Sequence, residues 1–152
     1  MGAVTYPDER VVAFLNDRFA CVKLDIFSKV PAEKATTRRF RVLWNPAFVV
    51  LNDRDEEMRR WIGYLPPEAF IAELRVGAGK VRILGRDPKG AHEDFRAAAD
   101  TEDAPVAPEA AYWTGIAKYL AAPERDKTIL SASWNELRER FPDSRWWTAA
   151  DT

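Results

Sequence analysis

The apolar side chains of the first 40 residues follow three short patterns. Apolar residues between 11 and 15 recur at helical spacing behind Asp8, a good helix N-cap. Residues 20–26 alternate apolar and polar side chains, which predicts a strand that contains Cys21. Residues 31–40 hold no interior glycine or proline and begin with a proline, which favours a helix.

A second strand and a hairpin are predicted next. Residues 47–51 are apolar throughout, as expected of a parallel strand covered on both faces, so 20–51 is predicted as a βαβ unit. A polar turn at 52–55 separates it from a run around Met58 and Trp61 that can pair back antiparallel. Paired prolines at 66 and 67 then open a helix.

The rest of the chain is predicted to be helical. Five glycines or prolines between 77 and 90 place a boundary there, between one unit at 1–80 and another at 86–150. The segments expected to be helical are 91–99, 109–122 and 127–141, with a polar connector over 101–108 and a short turn that carries Trp146 and Trp147. The fold class is therefore α/β: helix, strand, helix, strand, strand, helix, followed by an α-helical region.

Composition excludes several kinds of chemistry. Among 152 residues there are one cysteine, Cys21, and one histidine, His92, so an internal disulfide, a Cys/His zinc site and a dithiol centre within this chain are excluded. The 23 basic and 24 acidic side chains nearly balance, and the basic cluster at 38–41 is expected to be a solvated helix end, with no nucleic-acid partner. No apolar run reaches 18 residues and the start does not resemble a signal peptide, so we expect a cytoplasmic protein with no membrane partner.

The first half resembles the thioredoxin superfamily. The residues that carry this resemblance are Thr5, Asp8, Val11, the run Val22-Lys23-Leu24-Asp25, the strand region 42–51, the turn 52–55 and the segment 62–67. They match the tail of the active-site helix, a following strand, the cis-proline strand, the hairpin and the last helix of that superfamily. The resemblance implies an incomplete thioredoxin-like fold.

The superfamily's Cys-x-x-Cys is absent from this chain. Disulfide exchange needs both sulfurs, so we expect no catalytic residues here and an inert, structural Cys21 in an apolar strand. The resemblance also places a central strand between 20–26 and 47–51. Those strands could pair directly, another segment or a second chain could fill the gap by self-association, or the sequence could be a shortened form, which we favour.

Around Pro46 the resemblance implies a polypeptide-binding site. It places a cis Asn45–Pro46 bond where the backbone of Asn45 pairs with an extended substrate. Trp44 then either lies beside that groove or fills the core.

The second half resembles a degenerate tetratricopeptide unit. Residues 108–119 match the first helix of that repeat, and 134–144 the end of its second. One helix pair cannot bury its own apolar face. The aromatic side chains that either form a core or line a peptide-binding groove are Trp113, Tyr119, Trp134, Trp146 and Trp147.

Other candidate residues favour structural roles. His92 has no second histidine or cysteine with which to bind a metal, so it is expected at a solvated helix start. Glu56 and Glu57 are adjacent and point to opposite faces of a strand, and Gly77-Ala78-Gly79-Lys80 lacks the spacing of a phosphate loop. We therefore expect no metal and no cofactor.

The expected function is non-catalytic binding of polypeptide by a thioredoxin-like protein. The alternative is an active thiol-disulfide oxidoreductase, a family concerned with cell redox homeostasis, whose Cys-x-x-Cys is encoded upstream of Met1.

Overall fold

The structure, a computed structural model, describes residues 8–150. Thr5, one of the residues that carry the thioredoxin resemblance, lies outside them. The described elements are α1 (Glu9–Arg18), α2 (Pro31–Arg39), β1 (Ala47–Leu51), β2 (Glu57–Ile62), α3 (Pro67–Leu84), α4 (Pro88–Ala99), α5 (Ala107–Ala121), α6 (Lys127–Arg140) and α7 (Arg145–Ala150). Helices therefore predominate over one small sheet, and the chain is α/β only in the broad sense.

Helix α1 begins as the sequence predicts. The Asp8 side chain accepts a hydrogen bond from the Arg10 backbone N–H at 2.9 Å, which satisfies one of the free donors of the first turn. Val11 is fully buried and belongs to a core cluster with Val50, Trp61, Phe70 and Leu74. This cluster joins α1, the hairpin and α3.

The predicted strand at 20–26 is wrong. These residues form no regular element apart from a turn at Asp25, whose side chain accepts from the Phe27 N–H at 2.9 Å. Val22 is 81% exposed and Cys21 is exposed. An alternating segment becomes a strand only when a neighbouring strand accepts its hydrogen bonds, and none of the described residues provides one.

The sheet is an antiparallel hairpin, so the predicted βαβ unit and the parallel setting of residues 47–51 are also wrong. Strands β1 and β2 pair with Ala47 opposite Ile62 and Val49 opposite Arg60, and the register shifts between Val50 and Leu51. The predicted turn is present: the Asn52 side-chain oxygen accepts from the backbone N–H groups of Arg54 and Glu56, each at 2.9 Å.

Helix α3 runs through the start of the stretch where a boundary was predicted. It is continuous across Gly77 and Gly79 and ends at Leu84. The turn over residues 85–87 lies inside the predicted stretch, and Asp87 caps α4 by accepting from the Gly90 N–H at 2.9 Å. Because α3 contributes to core clusters on both of its sides, it connects the hairpin to the helical region.

The helices after α3 agree closely with their predicted bounds. Each packs on the next along the chain, and α7 turns back to contact both α5 and α6. Their shared core is rich in alanine and contains Phe95 from α4. None of the helices within residues 8–150 has the length and apolar character that crossing a bilayer requires.

Candidate functional site

Trp44, Asn45 and Pro46 lie in the loop that leads into β1. The Asn45–Pro46 peptide bond is cis, the isomer that the thioredoxin resemblance implies. Trp44 is 71% exposed and its neighbour Leu43 is 84% exposed, so Trp44 does not fill the core. These two side chains form an apolar surface at the entrance to β1.

One edge of β1 has no partner strand among the described residues. The Gly63 N–H donates to the Pro46 carbonyl at 2.9 Å, so residue 46 directs its carbonyl towards β2. Residues of an antiparallel strand alternate in direction. The backbone groups of Ala47, Val49 and Leu51 therefore point away from β2, on the side to which Asn45 also belongs.

The single thiol is not built into a reactive site. Cys21 is exposed in the irregular segment after α1, not inside an apolar strand as expected. Catalytic thiols are activated by lying at a helix N-terminus or beside a second cysteine. Cys21 has neither feature, because it comes after the end of α1 and is the one cysteine of the sequence.

Three of the five candidate aromatic residues meet around Tyr112. Its ring contacts Trp113, Trp134 and Trp146, with centroids 5.8, 6.2 and 5.3 Å away. Trp113 also stacks on the buried Phe95 at 5.9 Å. These contacts join α4, α5, α6 and α7.

Tyr119 and Trp147 lie outside these ring contacts within residues 8–150. The Trp147 indole instead donates to the Pro142 carbonyl at 2.5 Å. The indole N–H groups of Trp113 and Trp134 are buried without a hydrogen-bond acceptor.

Helices α5 and α6 approach closely beneath this aromatic cluster. A Cβ atom at Gly115 would lie 2.8 Å from the Ser133 Cβ, closer than two such atoms can stand. Glycine is therefore required at this crossing, which is within the segment that resembles the first tetratricopeptide helix.

A buried ionic group links the hairpin to α3 and α5. Arg59 on β2 donates to Glu73 at 2.5 Å and to Glu109 at 2.6 Å, and Lys80 donates to Glu109 at 2.8 Å. Burial acts to raise the pKa of Glu109, but the hydrogen bond from Lys80 and the charge of Arg59 outweigh it and hold that pKa below its ordinary value.

A second buried carboxylate, Asp94, joins α1, α3 and α4. Arg18 makes a two-pronged bridge to it at 2.6 and 2.7 Å, and Arg75 and Arg82 each approach it to 3.3 Å. The guanidinium groups of Arg18 and Arg75 also lie over the Phe14 ring, 5.1 and 4.9 Å from its centroid. Both ionic groups hold elements together and neither was predicted.

His92 lies on the fifth residue of α4 and is half-buried, not at a solvated helix start. Burial lowers its pKa, and the charges of Arg96 and Lys118 lower it further. Across residues 8–150 no three or more His, Cys, Asp or Glu side chains are grouped to hold a metal ion.

A groove lies at the loop between α4 and α5. Its volume is about 750 Å³, and Asp100, Glu102, Asp103, Arg140 and Phe141 contribute to its wall. Nothing in the local sequence singles out this groove, because its two sides are about 40 residues apart.

Comparison with known proteins returned no similarity: no protein-family model, no curated protein sequence and no solved structure matches this chain.

Proposed function

We propose that this chain is a thioredoxin-like scaffold with a tetratricopeptide-like tail, and that it binds extended polypeptide along the outer edge of β1. One observation carries the proposal: Ala47, Val49 and Leu51 direct their backbone donors and acceptors away from β2. An extended peptide can pair with such an edge as an added strand.

The loop before β1 supports the same occupant. Leu43 and Trp44 present exposed apolar side chains immediately before the edge, where they would contact the side chains of a bound peptide. Main-chain hydrogen bonds would supply affinity with little dependence on sequence, and these two side chains would add apolar burial. The expected ligand is therefore an unfolded or extended segment rather than a folded surface.

Val49→Pro should weaken the binding of extended polypeptide. Val49→Pro removes the N–H at the centre of the outer edge, whereas Val49→Ala keeps it, and neither removes a hydrogen bond to β2. We expect fluorescently labelled, reduced and alkylated α-lactalbumin to bind the wild type and Val49→Ala, with affinity at least about tenfold weaker for Val49→Pro. Fluorescence anisotropy measures this.

Equal binding by the proline and alanine variants, with both folded by circular dichroism, would contradict strand addition. Size-exclusion chromatography over a range of concentrations separates a further outcome. If the wild type dimerises and Val49→Pro does not, a second copy of the chain competes for the same edge.

The order of the helices supports the tetratricopeptide-like part of the proposal. Successive helices from α3 to α6 pack in sequence, and α3 contacts α5 as α5 contacts α7. Stacked helical repeats have this pattern, in which each helix meets its neighbour and the equivalent helix of the next repeat.

Thiol-disulfide exchange as part of a longer polypeptide is the second candidate function. It is favoured by the same edge of β1, because the thioredoxin resemblance places there the strand that leads to Cys-x-x-Cys. The exchange needs a second thiol beside the reactive one, and this chain holds only Cys21.

An insulin-reduction assay with dithiothreitol tests this chain directly. We expect the uncatalysed rate of precipitation, unchanged by Cys21→Ser. Turnover above that rate would show that the chain acts as an oxidoreductase on its own.

A further inference from the structure

A small cleft lies between α4, α5 and α6. Its volume is about 40 Å³, room for roughly three water molecules. The polar side chains that line it are His92, Arg96, Thr114, Lys118, Ser133, Glu136 and Arg140. The cleft is therefore too small for a nucleotide or an organic cofactor, but large enough for one small charged group.

The charges in the cleft do not balance. Arg96 bonds to Asp100 at 2.8 Å and lies 3.9 Å from Glu136, while Arg140 lies 3.0 Å from Asp100 and 3.6 Å from Glu136. These two arginines are thus matched by two carboxylates. Lys118 is exposed and has no carboxylate within ion-pair distance among the described residues. One positive charge is therefore left unmatched when Asp100, which lies beside the cleft, is counted with the wall.

The donors available to a ligand are the nitrogen groups of the wall. The hydroxyls of Thr114 and Ser133 each donate their one hydrogen to a carbonyl of their own helix at 2.8 Å, so they offer none to the cleft. Lys118 supplies a free ammonium, and the imidazole of His92 can donate one further hydrogen bond. Glu136 is the single carboxylate of the wall. A ligand that accepts hydrogen bonds and carries negative charge is complementary to this arrangement.

We propose that this cleft binds a single oxyanion, a carboxylate or phosphoryl group, between Lys118 and His92. The unmatched positive charge, the free donors of Lys118 and His92 and the small volume select this chemistry. None of its lining residues belongs to the hairpin or to the loop before β1, so the site does not depend on the proposed binding of polypeptide.

His92 provides a direct probe, because it is the only histidine of the chain. The proton on its ring carbon Cε1, which lies between the two nitrogens, gives one resonance in proton NMR. We expect inorganic phosphate, added at constant ionic strength with chloride, to shift this resonance saturably. An anion beside the ring favours its charged form, so the pKa of His92 should rise by about half a unit. The charges of Arg96, Lys118 and Glu93 act on the ring, and Glu136 and Arg140 line the same cleft. All five groups are present with and without phosphate.

Lys118→Met should weaken phosphate binding by about tenfold, whereas Lys118→Arg should keep it. Lys34→Met is the matched control, since it removes an exposed lysine from α2, far along the chain from the cleft. Sodium acetate in place of phosphate distinguishes the source: a response to both ions assigns a carboxylate or phosphate site, and a response to phosphate alone assigns a phosphoryl site.

Two results would overturn the proposal. One is a resonance that responds to neither ion beyond the chloride control. The other is equal phosphate affinity in the wild type and Lys118→Met, with Lys118→Met as stable to heat as Lys34→Met.

Discussion

Replacing Phe95 with alanine should lower the free energy of unfolding by about 3–5 kcal/mol. The ring is fully buried in the alanine-rich core and stacks on Trp113. It also lies against the backbone of α3 at Gly79, where the ideal Cβ position is only 2.5 Å from a ring carbon. Small neighbours cannot fill the space that the ring would leave. Urea denaturation followed by circular dichroism measures the loss.

Phe27→Ala is the control for this substitution, because Phe27 is 81% exposed. It makes the same chemical change without opening a cavity, and its effect should stay within about 0.5 kcal/mol. A Phe95→Ala protein as stable as Phe27→Ala would show that α3 and α4 do not pack as described.

Replacing Arg59 with methionine should cost about 3 kcal/mol. The substitution leaves Glu73 buried without its 2.5 Å partner, while Glu109 keeps only Lys80. A buried carboxylate that loses its counter-charge is strongly destabilising. Arg38→Met, at an exposed position near the end of α2, is the matched control and should change stability by less than about 0.5 kcal/mol.

The ion pair between Arg59 and Glu109 should also affect how the free energy of unfolding changes in acid. Because the pKa of Glu109 is held below its ordinary value, its ion pairs stabilise the fold at pH values above the ordinary pKa of a glutamate. That stability is lost as pH falls through the lowered folded-state pKa. Since Arg59 contributes to the lowering, Arg59→Met should lose less stability than the wild type between pH 5 and pH 2, by roughly 1 kcal/mol or less. Parallel slopes over this range would contradict the role given to Arg59.

Local signals in the sequence were sufficient for most helices and for the hairpin. Asp8 and the prolines at 31 and 67 predict helix starts that the structure places within a residue, and Asn52 opens the predicted turn. Each of these signals acts through residues a few positions away, so no knowledge of the fold is needed to interpret them.

The segment at 20–26 shows where local patterns fail. Alternation describes which side chains could share a face, but a strand also needs a neighbour for its backbone, and that neighbour cannot be seen in the segment itself. The length of α3 escapes local prediction for a related reason. Gly77 and Gly79 favour a break when only the neighbouring residues are considered, although both lie inside the helix.

The candidate site was only partly accessible to prediction. Trp44 to Pro46 were found through the resemblance, and part of the aromatic cluster through its spacing. The ionic group around Arg59 was not found, because its partners are 14 and 50 residues away. Its one local signal is Glu73, a carboxylate between Ala72 and Leu74 in an otherwise apolar part of α3.

The two glycines of α3 bear on how this protein assembles. Val50 of the hairpin lies 3.0 Å from the ideal Cβ position of Gly77, and Phe95 of α4 occupies that of Gly79. Positions i and i+2 of a helix are rotated by about 200° about its axis, so Val50 and Phe95 approach α3 from nearly opposite sides. Each glycine weakens the intrinsic helicity of the segment by about 1 kcal/mol. Helix α3 therefore draws part of its stability from both neighbours, which couples the order of the hairpin to that of the helical region.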